Sequence, residues 1–201
     1  MTCLRRGDGE WLWNAAAWRA WRAGLVLMLL WICLVVTCNA QSGSEAPEYK
    51  IKAAFVCKFA SYVEWPAQAF AQRDSPIVIG VMATDAVVDE LTRTAAGLSV
   101  DGRSLVVRRL HRGEPLTNAH LIFIASSEEG RLADAVTTLK GQPVLLVTES
   151  SHAAASGSMI NFVVVDDKVR FDIAPQAAEL SRLRISARLL GVARLVIGKV
   201  S

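Results

Sequence analysis

Apolar residues recur along this chain in two rhythms. Between Glu48 and Glu64, Ile51, Phe55, Phe59 and Tyr62 fall four, four and three residues apart, which predicts one stripe of an amphipathic helix. Cys57 lies about 200° around that helix from Phe55, away from the stripe. Trp65-Pro66 closes the helix, because the residue before proline resists helical angles. Compact apolar blocks follow at Ile77 to Ala83, Ser104 to Leu110, Leu121 to Ala125 and Pro143 to Thr148. Such blocks are the pattern of strands buried on both faces. Between them, Asp85 caps a helix reaching about Ala96 before a Gly97 stop, and Ser126 or Ser127 opens another that ends at Lys140-Gly141. Met159 to Val165 and Lys168 to Ile173 flank Asp166-Asp167 and read as a hairpin, with Val169, Phe171 and Ile173 on one face. Pro175 starts a helix, and an apolar helical segment runs from Ile185 through Val196. Strand alternating with helix predicts a single layered α/β domain with a mixed, substantially parallel sheet flanked by helices.

The first forty residues follow neither rhythm. Arg5, Arg6, Arg19 and Arg22 form a basic leader, Gly24 to Val36 an apolar run of 13 residues, and Cys38-Asn39-Ala40 a small-residue cleavage site. Thirteen helical residues cover about 20 Å, short of the roughly 30 Å hydrocarbon core. Residues 1–40 therefore read as a cleavable export signal rather than a retained anchor, 41–47 as a short polar tether, and 48–201 as the working domain. The expected location is outside the cytoplasm. From Gln41 onward, 18 Lys and Arg face 17 Asp and Glu, so the net charge of +3 falls to near +1. That balance excludes a nucleic-acid partner, which needs a concentrated basic face. Of the six tryptophans only Trp65, and of the four cysteines only Cys57, lie beyond the signal. No disulfide within the exported domain is then expected. The lone thiol has three fates open to it: burial, pairing between two copies in a homodimer, or reactivity.

Catalytic and ligand-binding patterns are missing from the sequence. There is no G-x-S-x-G elbow, phosphate loop or H-E-x-x-H, and His111, His120 and His152 are scattered away from carboxylates and thiolates. Neither a cofactor nor a metal is expected. A hydrolase built on Ser158 and His152 ranks behind a plain loop connection. Three residues stand out as a candidate partner or ligand surface. Trp65 is either a core plug or an exposed anchor. Arg184 and Arg188, one helical turn apart, are either the wet side of a helix or a cup for an anion.

Three ordered stretches carry a family resemblance. Tyr49 to Phe55, continuing through Phe59-Ala60 to Val63-Glu64-Trp65-Pro66, resembles the opening signature of the YfiR family. Gly157 to Phe162 with Val169 to Ile173 is similar to the family's hairpin, and Leu183 to Leu190 to its closing motif. Cys57 stands where the signature usually has Tyr, Ala174-Pro175 replaces the Asn after the hairpin, and Ala187 the second Ser of the closing motif. The resemblance implies a periplasmic, non-enzymatic α/β repressor that docks on the periplasmic domain of an inner-membrane diguanylate cyclase. It also implies relief of that repression by an outer-membrane lipoprotein. A periplasmic small-ligand sensor serving a histidine kinase or another membrane receptor is the alternative.

Overall fold

The computed structural model describes residues 42–150 and 157–198. The expected export signal, Gln41 and His152 lie outside them. Three apolar blocks form the centre: β2 (Ile77–Met82), β5 (Leu121–Ile124) and β6 (Leu145–Thr148), adjacent and parallel. They tolerate an all-apolar sequence because helices cover both sides of the sheet. On one side β4 (Arg103–Arg109) runs parallel to β2, and β3 (Ser99–Val100) closes that edge antiparallel. On the other side β7 (Ile160–Val165) runs parallel to β6 and β8 (Lys168–Ile173) folds back on β7. β10 (Leu195–Val196) pairs parallel to β8 at the far edge, giving the order β10-β8-β7-β6-β5-β2-β4-β3. The protein is thus an α/β domain with a mixed, largely parallel eight-stranded sheet, and residues from Pro47 onward form one compact unit.

α1 (Ser42–Phe59) and α2 (Asp85–Ala95) pack on one face, where Ala53, Val56, Phe59, Val87 and Leu91 meet Ile79, Val81 and Phe123. α3 (Leu132–Leu139) covers the other, its Leu132, Ala135 and Leu139 against Ile122, Ile124 and Leu146. Gly80 on β2 permits close packing there, since a Cβ at that position would lie 2.5 Å from Leu110 Cδ1. Aromatic rings from α1 and the β7–β8 hairpin interlock: Phe59 lies 5.1 Å from Phe171 and 5.6 Å from Phe162, and Phe55 5.4 Å from Phe171. Asp166 and Asp167 both take left-handed angles (φ 49° and 56°), as a two-residue primed turn requires.

Several expected elements differ. α1 ends at Phe59 rather than near Glu64, and it begins at Ser42, so 42–47 carry helical backbone where the sequence reads as a tether. Its buried side is Lys52, Ala53, Val56, Cys57, Phe59 and Ala60, while Ile51 is 48 % exposed. Apolar residues surround this helix, so periodicity alone does not choose the inward face. Small Ala53, Cys57 and Ala60 let the helix approach the sheet closely. Burial pushes the buried Cys57 thiol up to about 11, which keeps it protonated and unreactive. The expected helix over Ile185 to Val196 is three pieces: β9 (Arg184–Ile185), α5 (Ala187–Val192) and β10. Ser186 caps α5, its Oγ accepting from the Leu189 amide at 3.4 Å, and Ala193 is extended. Short apolar runs do not separate helix from strand by period. The helix opened by Pro175 is α4 (Pro175–Leu180). Ser126–Arg131 is a 3-10 segment leading into α3, kinked at Glu128.

Candidate functional site

Beyond α1 the chain turns, with the Ser61 amide donating to the Lys58 carbonyl and Tyr62 to Phe59, and extends as β1 (Val63–Glu64). β1 leaves the main sheet and pairs antiparallel with β9, Val63 opposite Ile185 and Glu64 opposite Arg184. The Ser186 amide donates to the Tyr62 carbonyl and extends the ladder. Val63 is buried, whereas Glu64 and Arg184 face water as a cross-strand pair with Nε to Oε2 at 3.8 Å. Both side chains are more than 70 % exposed, so this ion pair adds little stability.

Trp65 follows β1 and is half-buried. Its indole N–H donates to the His120 carbonyl at 3.1 Å, so it is an anchored wall rather than a free aromatic. Pro66 and the 3-10 turn Ala67–Ala69 then bring Phe70 flat against the His120 ring, centroids 4.6 Å apart. The Arg103 guanidinium covers the other side of Phe70 at 3.7 Å and donates to the carbonyls of Gln72 and Ser75. Tyr62, Trp65, Phe70, Asp101, Arg103 and Ser186 line an open groove of about 370 Å³ beside the ladder. Arg188 stands exposed on the first turn of α5, with no ion pair among the described residues. Arg184 and Arg188 therefore do not form a helical cup: one is a strand residue opposite Glu64, the other belongs to a helix beginning beyond Ser186. Trp65 directly follows β1 and Arg184 lies on β9, so these two adjoin one ladder, and Arg188 lies four residues further along on α5.

A second polar cluster sits at the carboxyl ends of the central strands, and sequence reasoning missed it. Lys52 is 1 % exposed, yet its ammonium bonds both Glu48 and Glu149, with the Tyr49 ring 4.9 Å away. The Tyr49 hydroxyl donates to Glu149 at 3.2 Å. Burial alone lowers the Lys52 pKa, but the bonds to Glu149 and Glu48 outweigh it and hold it above the usual lysine value. Burial likewise raises the Tyr49 phenol. Alongside, Asn161 of the hairpin motif accepts from Thr148 Oγ1 at 2.8 Å and the Ser150 amide at 3.0 Å, and donates to the Ser150 carbonyl. Ser158 Oγ lies 2.7 Å from Thr148 Oγ1 and donates to the Ile160 carbonyl, so its hydroxyl ties loop to strand instead of standing free as a nucleophile. Asp172 of the same motif takes Arg194 in a two-pronged bond. The motif itself was the only sequence signal for these roles.

All three stretches that carried the resemblance thus have a structural account, either in the core or on the ladder. No curated protein matches the chain. Residues 49–194 match the YfiR/HmsC-like family model, from Tyr49 beside the buried ion pair to Arg194 on Asp172. The chain belongs to the YfiR/HmsC-like family.

Proposed function

We propose that this protein is a non-catalytic periplasmic regulator that binds the periplasmic domain of an inner-membrane diguanylate cyclase and represses it. Cyclic-di-GMP and biofilm formation fall as a result. Family membership supports a role in diguanylate cyclase signalling. The basic leader and short apolar run support export, and no helix among the described residues is long and apolar enough to cross a membrane.

The observation that carries the reading is what packing leaves unexplained. Phe55, Phe59, Phe162, Phe171 and Leu189 fill the core, so their presence in the motifs follows from folding. Glu64, Arg184 and Arg188 belong to the same motifs but lie in water. A small ladder with exposed charges beside an aromatic groove suits a polar protein partner, where charges set register and encounter rate and the groove takes an anchor. Repression then follows from tighter binding to one arrangement of the cyclase's sensor domains than to the other. An outer-membrane lipoprotein competing for the regulator would lift the repression. The test is deletion of the gene beside a fluorescent cyclic-di-GMP reporter. The nucleotide level rises on deletion and returns with the wild-type gene; an unchanged level in every condition defeats the proposal.

The groove of about 370 Å³ favours one other reading, a sensor for a small ligand that serves a membrane receptor. A compound that raises the melting midpoint of the wild type but not of Arg103→Ala would support it.

A further inference from the structure

His120 immediately precedes β5, at the amino ends of the parallel strands, and every polar atom of the residue is engaged. Its Nδ1 accepts the Val78 amide at 3.1 Å, which places the proton on Nε2, and Nε2–H donates to the Ala69 carbonyl at 3.1 Å. Its backbone carbonyl accepts twice, from the Leu145 amide at 2.8 Å and from the Trp65 indole. The residue therefore ties β2, β6 and the segment 65–70 together, and Phe70 stacks on its ring.

We propose that His120 is an acid-sensitive latch, whose protonation frees the segment from Trp65 to Ser75 and dismantles one wall of the groove beside the β1–β9 ladder. A proton on Nδ1 would point at the Val78 N–H, setting donor against donor and ending that bond. Apart from the Ala69 carbonyl, the surroundings offer the imidazolium no compensation. From β4, Arg103 reaches over Phe70; from the turn before β9, Arg182 lines the same cavity of about 450 Å³ as the imidazole. Both are cations. β2 contributes Val78, β6 is preceded by Gln142, Pro143 and Val144, and no carboxylate lines this cavity. Asp101 and Glu64 line the neighbouring groove instead. Burial first, and the Arg103 charge further, lower the imidazole pKa, while the Ala69 carbonyl opposes them. In acid the ring must give up the Val78 amide to be protonated, and as it turns away Phe70 loses the ring it stacks on. The Trp65 indole, held by the His120 backbone carbonyl, is freed only as the segment that follows it moves. A protein outside the cytoplasm meets the pH of the medium, so the latch would couple acidity to the proposed partner surface. Its significance rests on the proposed function, but its existence does not.

The test is a pH titration of the ¹⁵N-labelled full chain from about pH 7.5 to about pH 5, spanning ordinary histidine titration. Nuclear magnetic resonance reads the His120 ring nitrogens and the exchange of the Val78 amide and Trp65 indole N–H, corrected for intrinsic exchange. The expected result is the Nε2–H tautomer at neutral pH. As the ring becomes cationic, exchange at Val78 and Trp65 rises about tenfold or more, while Phe162 is unaffected. His120→Asn keeps an acceptor for Val78 but cannot titrate, and it shows no acid step. A ring that protonates without change at Val78 and Trp65 overturns the proposal, as does a ring that stays neutral throughout or an equal step in His120→Asn. If the variant does not fold, the wild-type titration still decides. No cyclase enters the experiment, so its outcome is independent of the proposed function.

Discussion

The two ends of the parallel strands treat a base in opposite ways. At the carboxyl ends, Lys52 is buried as a cation with Glu48 and Glu149 bonded to it. At the amino ends, His120 is held neutral between a backbone donor and a backbone acceptor, with only cations facing it. Compensation keeps the lysine charged through the whole physiological range, because its bonds to the two carboxylates hold it above its usual value. Its absence makes the second conditional. The same fold thus joins a fixed end, where Asn161 and Lys52 secure the strands, to an adjustable end that carries the exposed ladder and groove.

Removing Lys52 should break the fixed end most severely. Lys52→Met leaves two carboxylates facing each other and should cost about 3–5 kcal/mol in urea unfolding. Adding Glu149→Gln should recover part of the loss. An effect near zero would mean that the pair does not hold α1 to β6. Next, Asn161→Ala removes the amide that bonds the Thr148 hydroxyl and both backbone groups of Ser150, and should cost about 1–3 kcal/mol, measured in the same way.

Acid sharpens the contrast. The folded pKa of His120 lies below its unfolded value, so its contribution is complete above about pH 6.5. It is lost as pH falls through the lowered folded value. Lys52 has the opposite sign: its folded pKa is raised, so the contribution from its own titration is complete below the usual lysine value and is lost as pH climbs past the raised one. Melting curves of wild type and His120→Asn should therefore diverge below neutrality and run parallel above it. On the ladder, Arg184→Ala should change stability by less than about 1 kcal/mol, since its pair with Glu64 is exposed. The smallest effect is a gain: Asp167→Gly relieves a left-handed residue in the hairpin turn and should add about 0.5–1 kcal/mol.

Much of the sheet was legible because its signals are local. All-apolar blocks gave β2, β5 and β6, alternation gave β8 with Val169, Phe171 and Ile173 inward, and the Asp pair gave the turn. What stayed hidden depends on residues far apart in sequence. A lysine on a helix reads as solvated, and only folding brings Glu149, 97 residues away, to Lys52. His120 binds backbone atoms of Val78 and Ala69, which no side-chain pattern records. The β1–β9 ladder pairs two-residue strands over 120 residues apart, too short for any period to register. Trp65 stands out in sequence, but its partner is a carbonyl, so whether it is plug or anchor could not be read in advance.

The proposed partner surface is the β1–β9 ladder with its groove, and not the rest of the exposed chain. Calorimetric titration of the protein with the purified periplasmic domain of the proposed cyclase partner decides this, using Arg184→Glu with Arg188→Glu against a control reversal, Lys168→Glu with Arg170→Glu, on the exposed face of the hairpin. The first pair should weaken binding tenfold or more at unchanged melting temperature, while the hairpin pair binds like wild type. Equal binding by both pairs, or loss confined to the hairpin pair, would contradict it.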